Sequence, residues 1–214
     1  IGPRDLSLKF IGKTIPLYAN DMYLCNMNIF IEKLCNKYKV SEANVQLLLE
    51  CMEEVHFNKK ELIVREGTKN SNLYLIKKGI WRGYYHKDGV DTTIWFASEG
   101  EAAFSVWGYV DNAYSLINIE AMCDSTAYCV SRSALNKLFS SSIELANLGL
   151  NLMERQFLGQ ENWLISAGSP RAKERYLTLI KETPELLQYV PLKHIASYLW
   201  ITPQSLSRIR AKIA

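Results

Sequence analysis

A Thr202-Pro203 pair near the end of the chain narrows the fold more than any other feature. Threonine ahead of a helix can accept hydrogen bonds from the free amides of the first turn. Proline suits the first helical position because its missing N–H has no partner there. The run from Pro191 to Ala214 therefore reads as two short helices joined by a tight turn. Ile195, Ala196, Leu199, Ile201, Leu206, Ile209 and Ile213 fall where two crossing helices bury them. Gln204, Ser205, Ser207, Arg208, Arg210 and Lys212 are left on the free face of the second helix. This is the pattern of a helix-turn-helix whose second helix enters the DNA major groove. An ordinary helical hairpin with a solvated basic face is the alternative.

Charge placement favours the first reading. From Ser169 onward the chain has eight Lys/Arg and three acidic residues, a net +5, although the whole chain carries only +3. A small basic module on a slightly acidic body is the footprint of phosphate-backbone binding.

With 214 residues and 48% hydrophobic content the chain can bury one or two cores, and two small domains are expected. Its longest apolar runs are too short to span a bilayer. The opening Ile1-Gly-Pro-Arg-Asp-Leu lacks the charged-then-apolar order of a signal peptide. Five cysteines (Cys25, Cys35, Cys51, Cys123, Cys129) at irregular spacing form no CxxC pair. They read as buried thiols of a reducing cytoplasm rather than zinc ligands or a disulfide framework. His56, His86 and His194 are far apart and make no HxH or HExxH arrangement, so neither a metal site nor a cofactor is expected.

Along the chain, residues 23 to about 54 have helical periodicity, with Ser41 as a cap. From Val55 to Val130 the pattern changes to short strands ended by glycine: Glu61–Gly67, Asn72–Gly79, and Trp81–Phe96 turning over at Asp88-Gly89. Ser115 to Cys123 and Ser125 to Val130 add further strands, which together imply an antiparallel barrel or sandwich. A short helix follows from Ser133, then a long one from Ser141 to Ser166. Its Leu145, Leu148 and Leu152 suit a seam between two subunits, and packing onto the chain's own barrel is the alternative. Gly168-Ser-Pro170 breaks that helix, and Arg171 to Glu182 opens the basic module. The resulting division is residues 23–140, 141–168 and 169–214.

This order resembles the cyclic-AMP receptor/FNR family of bacterial transcription regulators, most closely its Bacteroidetes branch. The likeness rests on Glu61-Leu-Ile-Val-Arg-Glu-Gly, Asn72-Leu-Tyr-Leu-Ile-Lys-Lys-Gly, the Asp88-Gly89 turn, Arg171-Ala-Lys-Glu-Arg-Tyr-Leu, and the Pro191–Leu199 and Ile201–Arg210 phrases. It implies an α+β fold: an N-terminal antiparallel β-roll (a cyclic-nucleotide-binding-like jelly roll) with flanking helices, a long dimerisation helix and a C-terminal winged-helix/helix-turn-helix domain. The implied partners are double-stranded DNA, a second copy of the chain, RNA polymerase and a small-molecule effector.

Carried over position by position, the resemblance makes Gln204 and Arg208 base readers and places Thr202, Ser205 and Lys193 near phosphates. Arg210 and Lys212 add positive charge to the same helix. Arginine can be bidentate to guanine and glutamine to adenine. Relatives more often have a carboxylate at the Gln204 position, so a changed target sequence is expected. Trp200 stands where relatives usually have glycine, because that turn tends to need a left-handed backbone.

The sensor departs further. Cyclic-nucleotide-binding relatives hold the ribose with a glutamate and the phosphate with an arginine. Aligned on Ile119-Glu120-Ala121, those positions fall near Ser105 and on Ser115. A buried phosphate without a cation is costly, so cyclic-AMP binding in the usual mode is not expected. Glu101, Phe104, Ser105, Trp107, Tyr109, Tyr114 and Ser115 instead suggest a lining for an aromatic or apolar effector, unless the aromatics simply fill the old pocket. A cyclic-nucleotide-binding regulatory module without DNA function is the second reading. A cupin-type enzyme is the third, opposed by the absence of a nucleophile–base pair or a clustered metal set.

Overall fold

The computed structural model describes residues 8–10, 13–15, 17–168 and 171–213. The N-terminal hexapeptide and Ser169-Pro170 of the expected break lie outside the described residues, as does the side chain of Cys25.

A small pair, β1 (Leu8–Phe10) with β2 (Lys13–Ile15), precedes the helices α1 (Leu17–Tyr38) and α2 (Glu42–Glu50). Ser41 caps α2 as expected, its hydroxyl accepting from the Asn44 amide at 3.3 Å. Then follow β3 (Glu53–Phe57), β4 (Leu62–Val64), β5 (Asn72–Lys78), β6 (Trp81–Lys87), β7 (Val90–Ala97) and β8 (Ala102–Ala103). A short helix α3 (Val106–Asp111) interrupts the strands before β9 (Asn118–Ala121) and β10 (Ser125–Ser131). The chain ends in α4 (Arg132–Phe139), α5 (Ile143–Gly168), α6 (Ala172–Glu182), α7 (Leu186–Tyr189), α8 (Leu192–Tyr198) and α9 (Pro203–Ala211).

The strands form two antiparallel four-stranded sheets, ordered β3-β10-β5-β8 and β4-β9-β6-β7. Ile63, Ile76, Trp81, Ile119 and Ala127 pack between them as one core. The β6–β7 hairpin turns at Asp88 (φ +51°) and Gly89 (φ +79°), both left-handed, as a turn matched to the strands' twist requires. A second core lies where α1, α2, α4 and α5 cover the first sheet.

Helix α3 falls inside a stretch read as aromatic lining. Ser105 caps it, accepting from the Gly108 amide, and Asn112 ends it in a left-handed conformation. A Cβ on Gly108 would run into the Asn70 carbonyl, so only glycine lets this helix lie so close to the backbone that leads into β5.

The long helix α5 has two unlike faces. Leu145, Leu148 and Leu152 are at most 3% exposed and belong to the chain's own core, which corrects their expected place in a subunit seam. Further along that face Gln156 donates to the Ala102 carbonyl at 2.7 Å, and Trp163 meets Tyr198. At 100° per residue the opposite face carries Ile143, Leu150, Phe157 and Leu164 at intervals of one heptad, flanked by Leu158 and Ile165. All six are exposed.

The C-terminal unit is helical from α6 to α9, and no strand follows Ser131 among the described residues. The wing expected beside the helix-turn-helix is therefore not part of the described unit.

Candidate functional site

Helices α8 and α9 form the helix-turn-helix that the C-terminal pattern predicts. Leu199 and Leu206 are buried where the two helices meet. Thr202 caps α9, accepting from the Ser205 amide at 3.1 Å, and Pro203 fills the first helical position. Between the helices Trp200 adopts φ +56°, so the turn keeps its left-handed backbone without glycine. A side chain in that region costs roughly 1–2 kcal/mol. Its ring lies 5.9 Å from that of Trp163 on α5, which offsets part of the cost.

On the outer face of α9, Gln204 and Arg208 are one turn apart and exposed, with Lys212 following. Lys193, at the start of α8, and Thr202 are also exposed, and Ser205 is half-buried. The hydroxyls of Thr202 and Ser205 lie 3.0 Å apart. Arg210 is exposed but lies some 200° around the axis from Arg208, on the flank beside buried Leu206. The expected set is thus one exposed polar face plus one cation set apart from it.

The residues expected to line an effector site do not share one cavity. Ser105 and Ser115 are buried and bonded to each other, Oγ to Oγ at 2.9 Å. Ser115 also donates to the Ile117 carbonyl at 2.8 Å. Tyr109 is core, its ring 4.9 Å from Phe104. Trp107 and Tyr114 are exposed, the latter beneath Lys69. Glu101 accepts from Lys37 at 2.8 Å and from the Ser98 amide at 2.8 Å, so it anchors a loop to α1. The aromatics split between filling the core, as Phe104 and Tyr109 do, and facing outward, as Trp107 and Tyr114 do.

Residues 54–142 match the model of the cyclic nucleotide-binding domain. FixK2 from Bradyrhizobium japonicum superposes with a TM-score of 0.65 at 21% identity, over 76% of this chain and 84% of that one. A CooA variant from Carboxydothermus hydrogenoformans gives 0.61 at 15% identity, over 77% of each. A chain from Eubacterium rectale classed with crp/fnr transcriptional regulators gives 0.59 at 18% identity, over 80% of this chain and 82% of that one. The fold is that of the Crp/Fnr regulators. No curated protein matches the sequence.

Within this Crp/Fnr fold the β6–β7 hairpin and α8 meet in a polar contact that the sequence reading missed. Arg82, 1% exposed, pairs with Glu120 at 2.8 Å and Asp91 at 3.3 Å and stacks 3.8 Å above the Tyr84 ring. It also contacts Nδ1 of His194 on α8. Ser197, one turn on, accepts from the Thr93 amide at 3.0 Å and donates to the Asp91 carbonyl at 3.1 Å. Burial, then the charges of Arg82 and Lys193, push the His194 imidazole down to about 4, against the pull of Asp91. Burial alone would raise the Asp91 carboxyl, but hydrogen bonds from His86 and Arg82 hold it below its ordinary value. Neutral His194 can therefore accept from the guanidinium. No spacing rule marks this set, because its members are far apart in sequence and only the fold brings them together.

A cavity of about 600 Å³ is walled by β7, α5, α6 and α8 as well as by Glu101 and Phe104. No described helix is long and apolar enough to cross a membrane.

Proposed function

We propose that the chain is a sequence-specific, homodimeric DNA-binding transcription regulator whose β-roll does not take cyclic AMP in the family's usual way. The observation that supports it best is α9: capped by Thr202, held on a buried Leu206, and presenting Gln204 and Arg208 on one exposed face in a basic unit. Arg208 matches the geometry of guanine O6/N7, and Gln204 that of adenine N6/N7. Lys193 and Lys212 serve phosphates.

The apolar heptad Ile143, Leu150, Phe157 and Leu164 is the seam for a second copy. Two copies joined there would set their α9 helices about 34 Å apart, on successive major-groove faces of a pseudo-palindrome. RNA polymerase as a partner is part of that role and rests on no residue named above.

Selection from random duplex DNA by the purified dimer, repeated at two salt concentrations, tests the reading. A palindromic consensus whose affinity falls steeply with salt is expected. Weak binding without a consensus would overturn it.

A second reading, a cyclic-nucleotide-binding module without DNA function, draws on the domain match over residues 54–142. The closed Ser105–Ser115 pair opposes it, because neither serine can neutralise a phosphate. Tight cyclic-AMP binding by calorimetry would favour this second reading.

A further inference from the structure

We infer that the cavity between the β-roll, α5 and the helix-turn-helix unit is a binding site for an aromatic carboxylate. At about 600 Å³ it falls within the range of small-molecule sites. Trp95 of β7, Trp163 of α5 and Tyr198 of α8 supply aromatic wall on three sides. Such walls accept a planar ring by stacking or edge contact.

Its charge is asymmetric. Arg155 and Arg175 both line it. Arg175 is largely buried and donates to the Leu199 carbonyl at 2.9 Å, which fixes it in place. Arg155 is exposed and pairs with no carboxylate among the described residues. Of the two acids in the wall, Glu101 is already committed to Lys37, leaving Glu182 at the outer edge. A carboxylate next to Arg155 would gain a charge-assisted, bidentate partner. The indole N–H of Trp163 is buried without a partner among the described residues, a donor still short of an acceptor.

The cavity lies on the body-facing side of α5, away from the exposed Leu150–Phe157–Leu164 stripe, so a second copy on that stripe would leave it open. Gly159 widens it: a Cβ there meets nothing within 4 Å. Because the walls come from both the β-roll and α6 and α8, a bound molecule would hold the helix-turn-helix unit in one pose. That coupling rests on the proposed DNA reading. The site itself does not.

The test is a fluorescence titration of the full chain with anilinonaphthalene sulfonate, an aromatic anion, alongside neutral phenylnaphthylamine. One saturable site per protomer is expected, with the anion preferred. Arg155→Gln should weaken the anion about tenfold, the loss of one charge-assisted contact. Gly159→Trp should abolish the signal by filling the space, while helix propensity favours replacing that glycine. If circular dichroism shows Gly159→Trp misfolded, Gly159→Leu and the exposed Arg155→Gln decide between site and no site. No saturable site, equal affinity for the two dyes, or a signal unaffected by both substitutions would overturn the proposal; the last would put the dye on the exposed α5 stripe. No DNA enters the titration, so a chain that selects no operator can still pass it, and the converse.

Discussion

Under the proposed DNA-binding function, Arg208 and Lys212 would do different work on one exposed helix face, and substitution separates them. Arg208→Ala should cost about 1–3 kcal/mol and relax base preference at one position per half-site. Lys212→Ala should weaken all sequences alike and lower the slope of log affinity against log salt by about one. Binding-site selection and salt titration read the two effects, and unchanged preference in Arg208→Ala would sink the assignment of that residue. His194 carries a pH prediction. Its folded pKa, about 4, lies below the ordinary value of 6.5, so the unfolded chain binds more protons between those limits. Stability then falls as pH drops from about 6.5 towards 4 and is unaffected by His194 above that window. His194→Asn, which keeps an acceptor near Arg82 but cannot titrate, should flatten this part of a melting-temperature profile. Gly108→Ala should destabilise, because the new Cβ meets backbone that cannot swing aside. Thermal unfolding measures that loss.

Periodicity and caps made most elements legible. Ser41, the Asp88-Gly89 turn and Thr202-Pro203 each act through bonds or dihedrals within a few residues, and all three stand where their local chemistry puts them. Helix α3 was missed although Ser105 and Asn112 are ordinary start and stop signals, because its six residues are too few to show a period. The α5 seam was misassigned for another reason. A long helix with apolar residues on both faces has two stripes, and only contact with the body tells which is taken: Leu145, Leu148 and Leu152 inside, Ile143, Leu150, Phe157 and Leu164 outside. Phe157→Glu should accordingly shift the chain from dimer to monomer in sedimentation equilibrium, since it places charge at the middle of the outer stripe. A dimer of unchanged stability would show that the copies join elsewhere. The residues expected to line an effector site were the least legible, because Ser115 and Ser105, aligned on or near the positions that hold phosphate and ribose in relatives, bond to each other.

Three cores link into one body, and the third is shared. Ile80 and Met122 of the β-roll are packed with Tyr176, Leu186, Val190, Ile195, Leu199 and Leu206 of the C-terminal unit. Melting should therefore appear as one transition rather than two, and calorimetric and van't Hoff enthalpies should agree once the dimer is allowed for. Two well-separated transitions would contradict the shared core. The same sharing bears on how such chains can diversify. A unit the size of residues 171–213 that completes its interior with Ile80, Met122, Phe96 and Cys123 from elsewhere is not portable. Grafted onto a foreign β-roll it would arrive with an open flank, so new pairings of the two units have to evolve together around Ile80, Met122, Phe96 and Cys123, not by exchange of ready-made modules.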